Sequence, residues 1–259
     1  MNCKLRVAVV GASGQLGAAV VHEFAAGGHQ VVPLDRKALD VTDPAAVDAT
    51  LGRLAPEVIV NCAAYSLVDL AEDHQVEALH ANAFAVRALA RAARAGKATL
   101  VHYGSDFVFD GTASAPYTES DLVNPRSVYA ASKMLGDWFA GDAPGSYVLR
   151  VESLFGRVPG GPAARGSVAG IIRSLRAGPP TRVFEDRTVS PTYVVDAARA
   201  TRELVERRAP AGIYHCVNSG FSTWLDFARE AARLLNVTPR LEAVRVADVP
   251  LRSTRPKYC

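Results

Sequence analysis

Short apolar runs alternate along this chain with longer stretches in which apolar residues recur at helical spacing. The first run, residues 5–10, is rich in β-branched residues and predicts a buried strand. A helical pattern follows it and ends at Gly27 and Gly28. Further strands are predicted at residues 30–34, 58–60, 99–103 and 146–150, with helical patterns between them, including a long one over residues 72–95. Asp43 is predicted to cap a helix that begins at Pro44. This alternation predicts an α/β fold built on a doubly wound parallel sheet.

Glycines fill the predicted turn between the first strand and the first helix. Gly11, Gly14 and Gly17 recur at intervals of three residues. Such a turn lets the backbone approach a pyrophosphate, and the helix N-terminus adds amide donors and a favourable dipole. The pattern therefore predicts a Rossmann-type dinucleotide site; the alternative is an ordinary strand-to-helix crossover with glycines for packing. The residues predicted to contact the cofactor here are Gly11, Ser13, Gly14, Gln15, Leu16 and Gly17.

The second predicted strand ends at an acidic residue that two basic residues follow. Asp35 lies 24 residues after Gly11, near the interval of about 20 residues expected for the carboxylate that binds the adenosine ribose. A carboxylate here favours NADH, whereas Arg36 could hold the 2′-phosphate of NADPH. Arg36 and Lys37 could equally form a solvated turn. Both NADPH and NADH therefore stay open as cofactors.

A tyrosine and a lysine four residues apart suggest proton-transfer chemistry. Tyr129 and Lys133 fall on one face of a predicted helix, one turn apart. An ammonium beside a phenol favours the phenolate, so the pKa of Tyr129 is expected to fall from about 10 toward neutrality. An isolated pair of this spacing also fits an ordinary amphipathic surface helix. Ser105, 24 residues before Tyr129, and the glycine turn together favour a catalytic set of Ser105, Tyr129 and Lys133.

The second half of the chain alternates less regularly. Residues 156–166 are rich in glycine and proline and predict a mobile loop, followed by a short helix around residues 171–175 and a strand at 183–184. A helix at 194–205 and a strand at 214–217 are predicted next, and Thr223 is predicted to cap a helix whose Trp224 lies in the core. We predict a Rossmann domain at residues 1–155 and a smaller C-terminal substrate-binding region at 156–259, with residues 188–217 returning to the large sheet.

Composition excludes several classes of partner. The chain has 259 residues and a net charge of +3. No Lys/Arg cluster suits a phosphate backbone, and no apolar run approaches membrane-spanning length, so neither nucleic acid nor a membrane is expected as a partner. No metal site is expected. The scattered Cys3, Cys62, Cys216 and Cys259 are typical of reduced thiols, which predicts a cytoplasmic protein.

Several stretches together resemble one enzyme family. In chain order they are Gly11-Ala-Ser-Gly-Gln-Leu-Gly17, Leu39-Asp-Val-Thr-Asp43, Asn61-Cys-Ala-Ala-Tyr-Ser-Leu-Val-Asp69, His102-Tyr-Gly-Ser-Asp-Phe-Val-Phe-Asp-Gly111, Tyr129-Ala-Ala-Ser-Lys133, Ser190-Pro-Thr192 and Gly212-Ile-Tyr-His215. They span nearly the whole chain. The chain thus resembles the extended short-chain dehydrogenases and, within them, the dTDP-4-dehydrorhamnose reductase family.

The resemblance implies hydride transfer between a nicotinamide and the ketone of a nucleotide-linked 4-keto-6-deoxy sugar. It makes Tyr129 the proton donor to the carbonyl oxygen, Ser105 a hydrogen-bond donor to the same oxygen, and Lys133 the group that holds the nicotinamide ribose and lowers the Tyr129 pKa. It places Asp40 and Val41 beside the adenine, and Cys62, Ala63 and Ala64 at the nicotinamide end. The implied substrate-binding residues are Val68, Ser105, Asp106 and Ser153.

Two departures from the family pattern concern the sugar pocket. Ser153 stands where the family commonly has a tryptophan that stacks on the substrate, and Leu70 stands where a lysine often follows Val-Asp. One alternative within the superfamily is a nucleotide-sugar epimerase or dehydratase, although dehydratases tend to have an acidic pair after the catalytic serine and here Asp106 is single. Another is a non-catalytic NADP-binding subunit like the methionine adenosyltransferase β subunit. A homodimer is left open.

Overall fold

A computed structural model describes residues 4–258, so Cys3 and Cys259 lie outside the described residues. The strands are β1 (Arg6–Val10), β2 (Gln30–Leu34), β3 (Val58–Asn61), β4 (Thr99–Ser105), β5 (Tyr147–Val151), β6 (Thr181–Phe184), β7 (Thr188–Val189), β8 (Gly212–His215), β9 (Ser222–Thr223) and β10 (Leu241–Val244). The helices are α1 (Gln15–Ala26), α2 (Pro44–Leu54), α3 (Gln75–Leu79), α4 (Ala85–Gly96), α5 (Val128–Gly141), α6 (Gly166–Ala177), α7 (Val194–Glu206) and α8 (Trp224–Leu235).

Six parallel strands form the main sheet in the order β2-β1-β3-β4-β5-β8. Because side chains alternate along a strand, Val7 and Val9 of β1 face one layer of helices and Ala8 and Val10 face the other. The first layer includes α1 and α7, and the second includes α2, α4 and α5. Both faces are buried, as expected for a parallel sheet. The predicted Rossmann-type doubly wound sheet is confirmed.

A smaller hydrophobic core lies beyond the main sheet. It packs α6 and α8 against β6 and β7. Here β6 pairs in parallel with β10, and β7 pairs antiparallel with β9. Trp224 is 3% exposed in this core, as predicted. Since β8 pairs with β5 and α7 packs on α1, we retain as a proposal the division at residue 155 with a later return to the large sheet.

Local sequence signals predicted two helix caps correctly and some element bounds incorrectly. Asp43 caps α2 by accepting hydrogen bonds from the backbone N–H groups of Ala45 and Ala46, and Thr223 caps α8 through that of Asp226. The single helix predicted over residues 72–95 is wrong. It is interrupted by a π-helical segment, His80–Phe84, and the last predicted strand begins earlier, at Gly212.

The π-helical segment has a structural partner that helical periodicity could not reveal. Within it, buried Asn82 bonds both backbone groups of Tyr65, accepting from its N–H at 2.8 Å and donating to its carbonyl at 3.0 Å. Asn82 thereby ties this helix to the loop that follows β3. Across residues 4–258, every helix is too short or too polar to span a bilayer.

Candidate active site

The carboxyl end of β4 and the first turns of α5 bring the predicted catalytic residues together. Ser105 is the last residue of β4 and is 5% exposed. Ser127 caps α5, its hydroxyl accepting from the Ala130 N–H at 3.1 Å, and this positions Tyr129 in the first turn. The Ser105 hydroxyl lies close enough to the Tyr129 phenol to lower its pKa. The Phe107 ring meets the Tyr129 ring edge-on, with centroids 5.6 Å apart.

Lys133 lies one turn further along α5 and is 3% exposed. Its ammonium donates a hydrogen bond to the Tyr103 carbonyl at 2.6 Å. Burial lowers the pKa of Lys133 to about 8, and the nearby Asp137 carboxylate opposes that shift. Asp137 is itself paired with Arg150, whose Nε lies 3.1 Å from its Oδ2. This buried ion pair thus connects α5 to β5 beneath the site.

The predicted direction of the Tyr129 pKa shift is wrong in this structure. Burial raises the pKa of Tyr129 to about 12; the Ser105 hydrogen bond and the Arg255 charge lower it, while Asp106 and Asp137 raise it. The spacing of Tyr129 and Lys133 is as predicted, but the ammonium donates to a backbone carbonyl and the phenol is desolvated. Tyr129 is therefore a phenol, a proton donor, at neutral pH.

The glycine turn after β1 has a backbone packed so closely that side chains would not fit. Gly11 has a φ of +75°, and a Cβ there would lie 2.7 Å from the Ala63 nitrogen. A Cβ on Gly17 would lie 2.2 Å from the Gly11 carbonyl oxygen. Gly14 precedes α1 without a side-chain cap, so the first amides of that helix stay available to an anion. These features fit the pyrophosphate of a dinucleotide.

A cleft of about 520 Å³ opens from this turn along the carboxyl edge of the sheet. The predicted cofactor residues that line it are Gly11, Ser13, Gly14, Arg36, Asp40, Val41, Cys62, Ala63 and Ala64. The other predicted contacts, Gln15, Leu16, Gly17, Asp35, Tyr129 and Lys133, do not line this cleft. Leu16 is 6% exposed in the core, Gln15 Oε1 accepts from the Arg165 N–H at 2.8 Å, and Gly17 packs against the turn.

The two candidate cofactor-selecting residues differ in their surroundings. Asp35 does not line the cleft; its Oδ1 accepts from the N–H groups of Lys37 and Ala38 at 3.0 and 2.9 Å and so closes its own turn. Arg36 lines the cleft. Asp40 Oδ1 accepts from the Thr42 hydroxyl at 2.7 Å, and this bond lowers the pKa of the Asp40 carboxyl. The turn therefore presents a guanidinium rather than the Asp35 carboxylate.

The predicted substrate-binding residues Asp106, Ser153 and Val68 differ in their contacts and backbone conformation. Asp106 follows Ser105, and its Oδ1 accepts from the Ser105 hydroxyl at 3.1 Å. Ser153 has a φ of +41°, a left-handed conformation that is unusual for serine. Val68 is half-buried and precedes Asp69, whose carboxylate holds the C-terminal segment through Arg255 at 2.6 Å.

Sequence reasoning missed three charged residues near this site: Glu152, Arg187 and Arg255. Glu152 follows β5 and is 2% exposed. Burial first and the Asp106 charge second raise the pKa of Glu152 to about 9. Arg187 and Arg255 both lie over the Phe107 ring, at 5.9 and 5.7 Å from its centroid. The position of Glu152 directly after an apolar strand could have identified it from the sequence. The two arginines are far from Phe107 in sequence, so only the fold shows that they lie near it.

Comparison with known proteins agrees with this geometry. The family described as RmlD substrate binding domain matches residues 5–259. The chain belongs to this family. It is 36% identical over 257 residues to a probable dTDP-4,6-dihydroxy-2-methyloxan-3-one 4-ketoreductase of Streptomyces antibioticus, with 98% of this chain and 85% of the relative covered.

Two further relatives of this RmlD family member are informative. A dTDP-4-dehydrorhamnose reductase of Streptomyces griseus is 35% identical, with 96% of this chain and 83% of that protein covered. The crystal structure of a dTDP-4-dehydrorhamnose reductase from Bacillus anthracis in complex with NADP superposes with a TM-score of 0.93 at 30% identity, covering 99% of this chain and 89% of that one. The resemblance inferred from the motifs is therefore confirmed.

Proposed function

We propose that this chain is an NADPH- or NADH-dependent reductase of a nucleotide-linked 4-keto-6-deoxy sugar, in which Tyr129 protonates the ketone oxygen. The observation that supports it most is the proximity of Tyr129 and Ser105, with Lys133 one turn away, at the carboxyl edge where the glycine-lined cleft opens. The reductase names of the relatives give independent support. The possible substrates form a class, dTDP-linked keto-sugars.

Each residue of the set has a role in this proposal. The bound nicotinamide supplies the hydride. Tyr129 holds the proton that the new alkoxide needs, because its raised pKa keeps the phenol protonated. Ser105 donates a hydrogen bond to the same oxygen, and Lys133 presents an ammonium for the nicotinamide ribose. Asp106, Val68 and the strained Ser153 are assigned to the sugar side.

The cofactor cleft suggests a preference that the sequence left open. Arg36 lines the cleft while Asp35 closes its own turn, so the 2′-phosphate of NADPH has a cationic partner and the ribose lacks the expected carboxylate. We therefore propose NADPH as the better cofactor, with NADH accepted. The NADP complex of the Bacillus anthracis relative is consistent with this choice.

Location and assembly are further parts of the proposal. Cys62 and Cys216 are free thiols, which suits a reducing compartment such as the cytoplasm. A homodimer stays a hypothesis that sedimentation equilibrium can test.

The deciding experiment follows NAD(P)H oxidation with a panel of nucleotide-linked 4-keto sugars. Wild-type protein is expected to turn over at least one of them. Tyr129→Phe should lower kcat by about 10²–10⁴-fold, the usual contribution of a positioned proton donor, with NADPH binding nearly unchanged. Tyr147→Phe is the matched control, because Tyr147 lies at the amino end of β5 and its hydroxyl donates to the Ala209 carbonyl. Its kcat should stay at the wild-type value.

One result would remove the reductase proposal. Wild-type protein would bind NADPH, oxidise none of it with any sugar of the panel, and behave like Tyr129→Phe in every assay. The non-catalytic NADP-binding subunit would then become the better hypothesis.

A further inference from the structure

A small cavity lies behind the catalytic serine, at the carboxyl ends of β4, β5 and β8. Its volume is about 90 Å³, enough for several water molecules. Its wall combines aromatic and aliphatic side chains with buried ionisable ones, among them Asp106, Arg150, Glu152 and His215. Within the described residues, Glu152 Oε1, Arg150 Nη1 and His215 Nε2 are buried without a hydrogen-bond partner. Unpartnered buried polar atoms around a cavity of this size indicate that it holds water.

Three hydrogen bonds hold Glu152 at the boundary of this cavity. Its Oε2 accepts from the Ser190 N–H at 2.6 Å. Its backbone N–H donates to the Thr192 hydroxyl at 3.1 Å, and its carbonyl accepts from the Thr192 N–H at 2.8 Å. The Ser190-Pro191-Thr192 segment therefore holds the carboxyl in place, with one oxygen occupied and the other left for a mobile proton.

A continuous series of groups joins this carboxyl to the catalytic phenol. Asp106 and Glu152 line the same cavity, and the charge of Asp106 raises the pKa of Glu152. Asp106 Oδ1 accepts from the Ser105 hydroxyl at 3.1 Å, and that hydroxyl lies close enough to the Tyr129 phenol to lower its pKa. The Lys133 ammonium donates to the Tyr103 carbonyl and not to the phenol. Two nearby carboxyls in buried surroundings cannot both ionise easily, which favours one proton between them.

Resting on the proposed reductase function, we propose that Asp106 and Glu152 hold one proton between them and pass it through Ser105 to Tyr129 after each reduction. Tyr129 becomes a phenolate when it protonates the new alkoxide. Ser105 then gives its proton to the phenolate and takes one from the carboxyl pair. Water in the cavity restores the proton to Glu152, so each cycle consumes one proton from solvent, and none of the groups that pass the proton changes oxidation state. Glu152 acts through its neighbours and is a positioning and proton-supplying residue.

The charged surroundings of Glu152 bear on the pH at which this supply fails. Asp106 at the end of β4 and the burial of the site raise the pKa of Glu152 to about 9, whereas Arg187 before β7 and the Ser190 N–H lower it. Arg150 of β5 and His215 of β8 line the same cavity. Burial lowers the pKa of His215, so this imidazole is neutral at pH 7 and above. The proton is therefore available below pH 9 and lost above it.

Rapid-mixing kinetics separate this proton supply from the chemistry itself. In the first turnover Tyr129 uses the proton that it already has, so Glu152→Gln should leave the first, burst phase of NADPH oxidation unchanged. Later turnovers need the supply and should slow by about 100-fold, the lower end of the range for a positioned proton donor. The solvent deuterium isotope effect on this second phase should increase. Glu119→Gln is the matched control, since Glu119 contacts the His215 N–H but does not line the cavity.

Wild-type protein provides a test that needs no variant to fold. Between pH 7 and 10 the second phase should slow as pH rises through about 9 while the burst phase does not follow it. Deprotonation of Lys133, whose pKa is about 8, affects both phases equally. The ratio of the second-phase rate to the burst rate therefore reports only the titration of the Asp106 and Glu152 carboxyls. A ratio independent of pH would overturn the proposal.

Other outcomes would also overturn it. Equal slowing of both phases in Glu152→Gln would indicate a structural role, and unchanged phases would show that Glu152 supplies nothing. An epimerised or dehydrated sugar among the wild-type products, lost in Glu152→Gln, would assign the carboxyl pair to carbon chemistry instead. Each of these requires an active wild type, so they differ from a failure of the reductase proposal, in which no sugar of the panel oxidises NADPH.

Discussion

At the level of single residues, burial sets the charge of the groups that surround the candidate site. The pKa of Tyr129 is raised to about 12, that of Glu152 is raised to about 9, and that of Lys133 is lowered to about 8. All three shifts disfavour the charged form, which is the expected effect of desolvation. At neutral pH the site therefore contains two uncharged acids, the Tyr129 phenol and the Glu152 carboxyl, and this state suits the reduction of a ketone.

Arg36 offers a sharp residue-level prediction about the cofactor. Arg36→Ala should weaken NADPH binding by about 10- to 100-fold, because a charge-assisted hydrogen bond to the 2′-phosphate contributes about 1.5–3 kcal/mol. NADH binding should change less than about twofold. Isothermal titration with both nucleotides measures this, and Lys37→Ala is the control because Lys37 is exposed and does not line the cleft. Equal losses for both nucleotides would mean that Arg36 does not contact the phosphate.

At the level of elements, the β1–α1 turn and the helix α5 define the two sides of the reaction. Backbone atoms are in close contact in this turn, so a side chain added at its glycines would overlap them. The helix α5 is supported from beneath by the buried pair of Asp137 and Arg150 and by a hydrogen bond between Asn82 and Ser132 at 3.0 Å. The π-helical segment that contains Asn82 thereby contributes to the placement of Tyr129 and Lys133.

Two glycine substitutions test the turn against an ordinary helical position. In Gly17→Ala the new Cβ would meet the Gly11 carbonyl oxygen at 2.2 Å, so the free energy of unfolding should fall by about 1–3 kcal/mol and NADPH affinity should fall with it. In Gly52→Ala, at an exposed position of α2, a Cβ meets nothing within 4 Å, and the free energy of unfolding should rise by up to about 1 kcal/mol. Urea denaturation and nucleotide titration measure both. Retained affinity in Gly17→Ala would contradict the role given to the turn.

At the level of the whole molecule, the C-terminal part closes over the carboxyl edge of the sheet. Arg187 donates to the Pro256 carbonyl at 3.0 Å, and Tyr258 donates its N–H to the Gly111 carbonyl at 3.3 Å. Asp69, from the loop after β3, accepts from the Ser253 N–H at 3.1 Å. Residues far apart in sequence thus come together at this edge, where Glu152 is 2% exposed.

That burial should be visible in the pH dependence of global stability. The folded-state pKa of Glu152 is raised from 4.5 to about 9, so its contribution is fully present below pH 4.5 and is lost as pH rises toward 9. Relative to Glu152→Gln, wild-type protein should lose at most about 1.4 kcal/mol of unfolding free energy per pH unit in this window.

Chemical denaturation at a series of pH values measures the difference. Glu119→Gln should follow the wild-type slope above pH 5, because the His215 N–H lowers the pKa of Glu119. Parallel curves for wild type and Glu152→Gln would show that the Glu152 carboxyl is already ionised in the folded protein at neutral pH.

Hydrophobic periodicity and local motifs were enough to predict the parallel sheet, the glycine turn, the helix caps and the spacing of Tyr129 and Lys133. These features depend on neighbours within a few residues, where strand alternation, glycine conformation and helical geometry act directly. The alternation also predicted that the sheet is covered on both faces. The family resemblance extended the prediction to the reaction.

Only the tertiary structure decided the protonation states and the enclosure of the site. The fold brings Asp106 and Glu152 to one cavity from the ends of two strands, turns the Lys133 ammonium to the Tyr103 carbonyl, and places Arg187 and Arg255 over Phe107. The sequence shows one carboxylate after Ser105, but the fold supplies a second. Desolvation depends on every atom packed around a group, so the charge of a buried residue cannot be read from the residues adjacent to it in the chain.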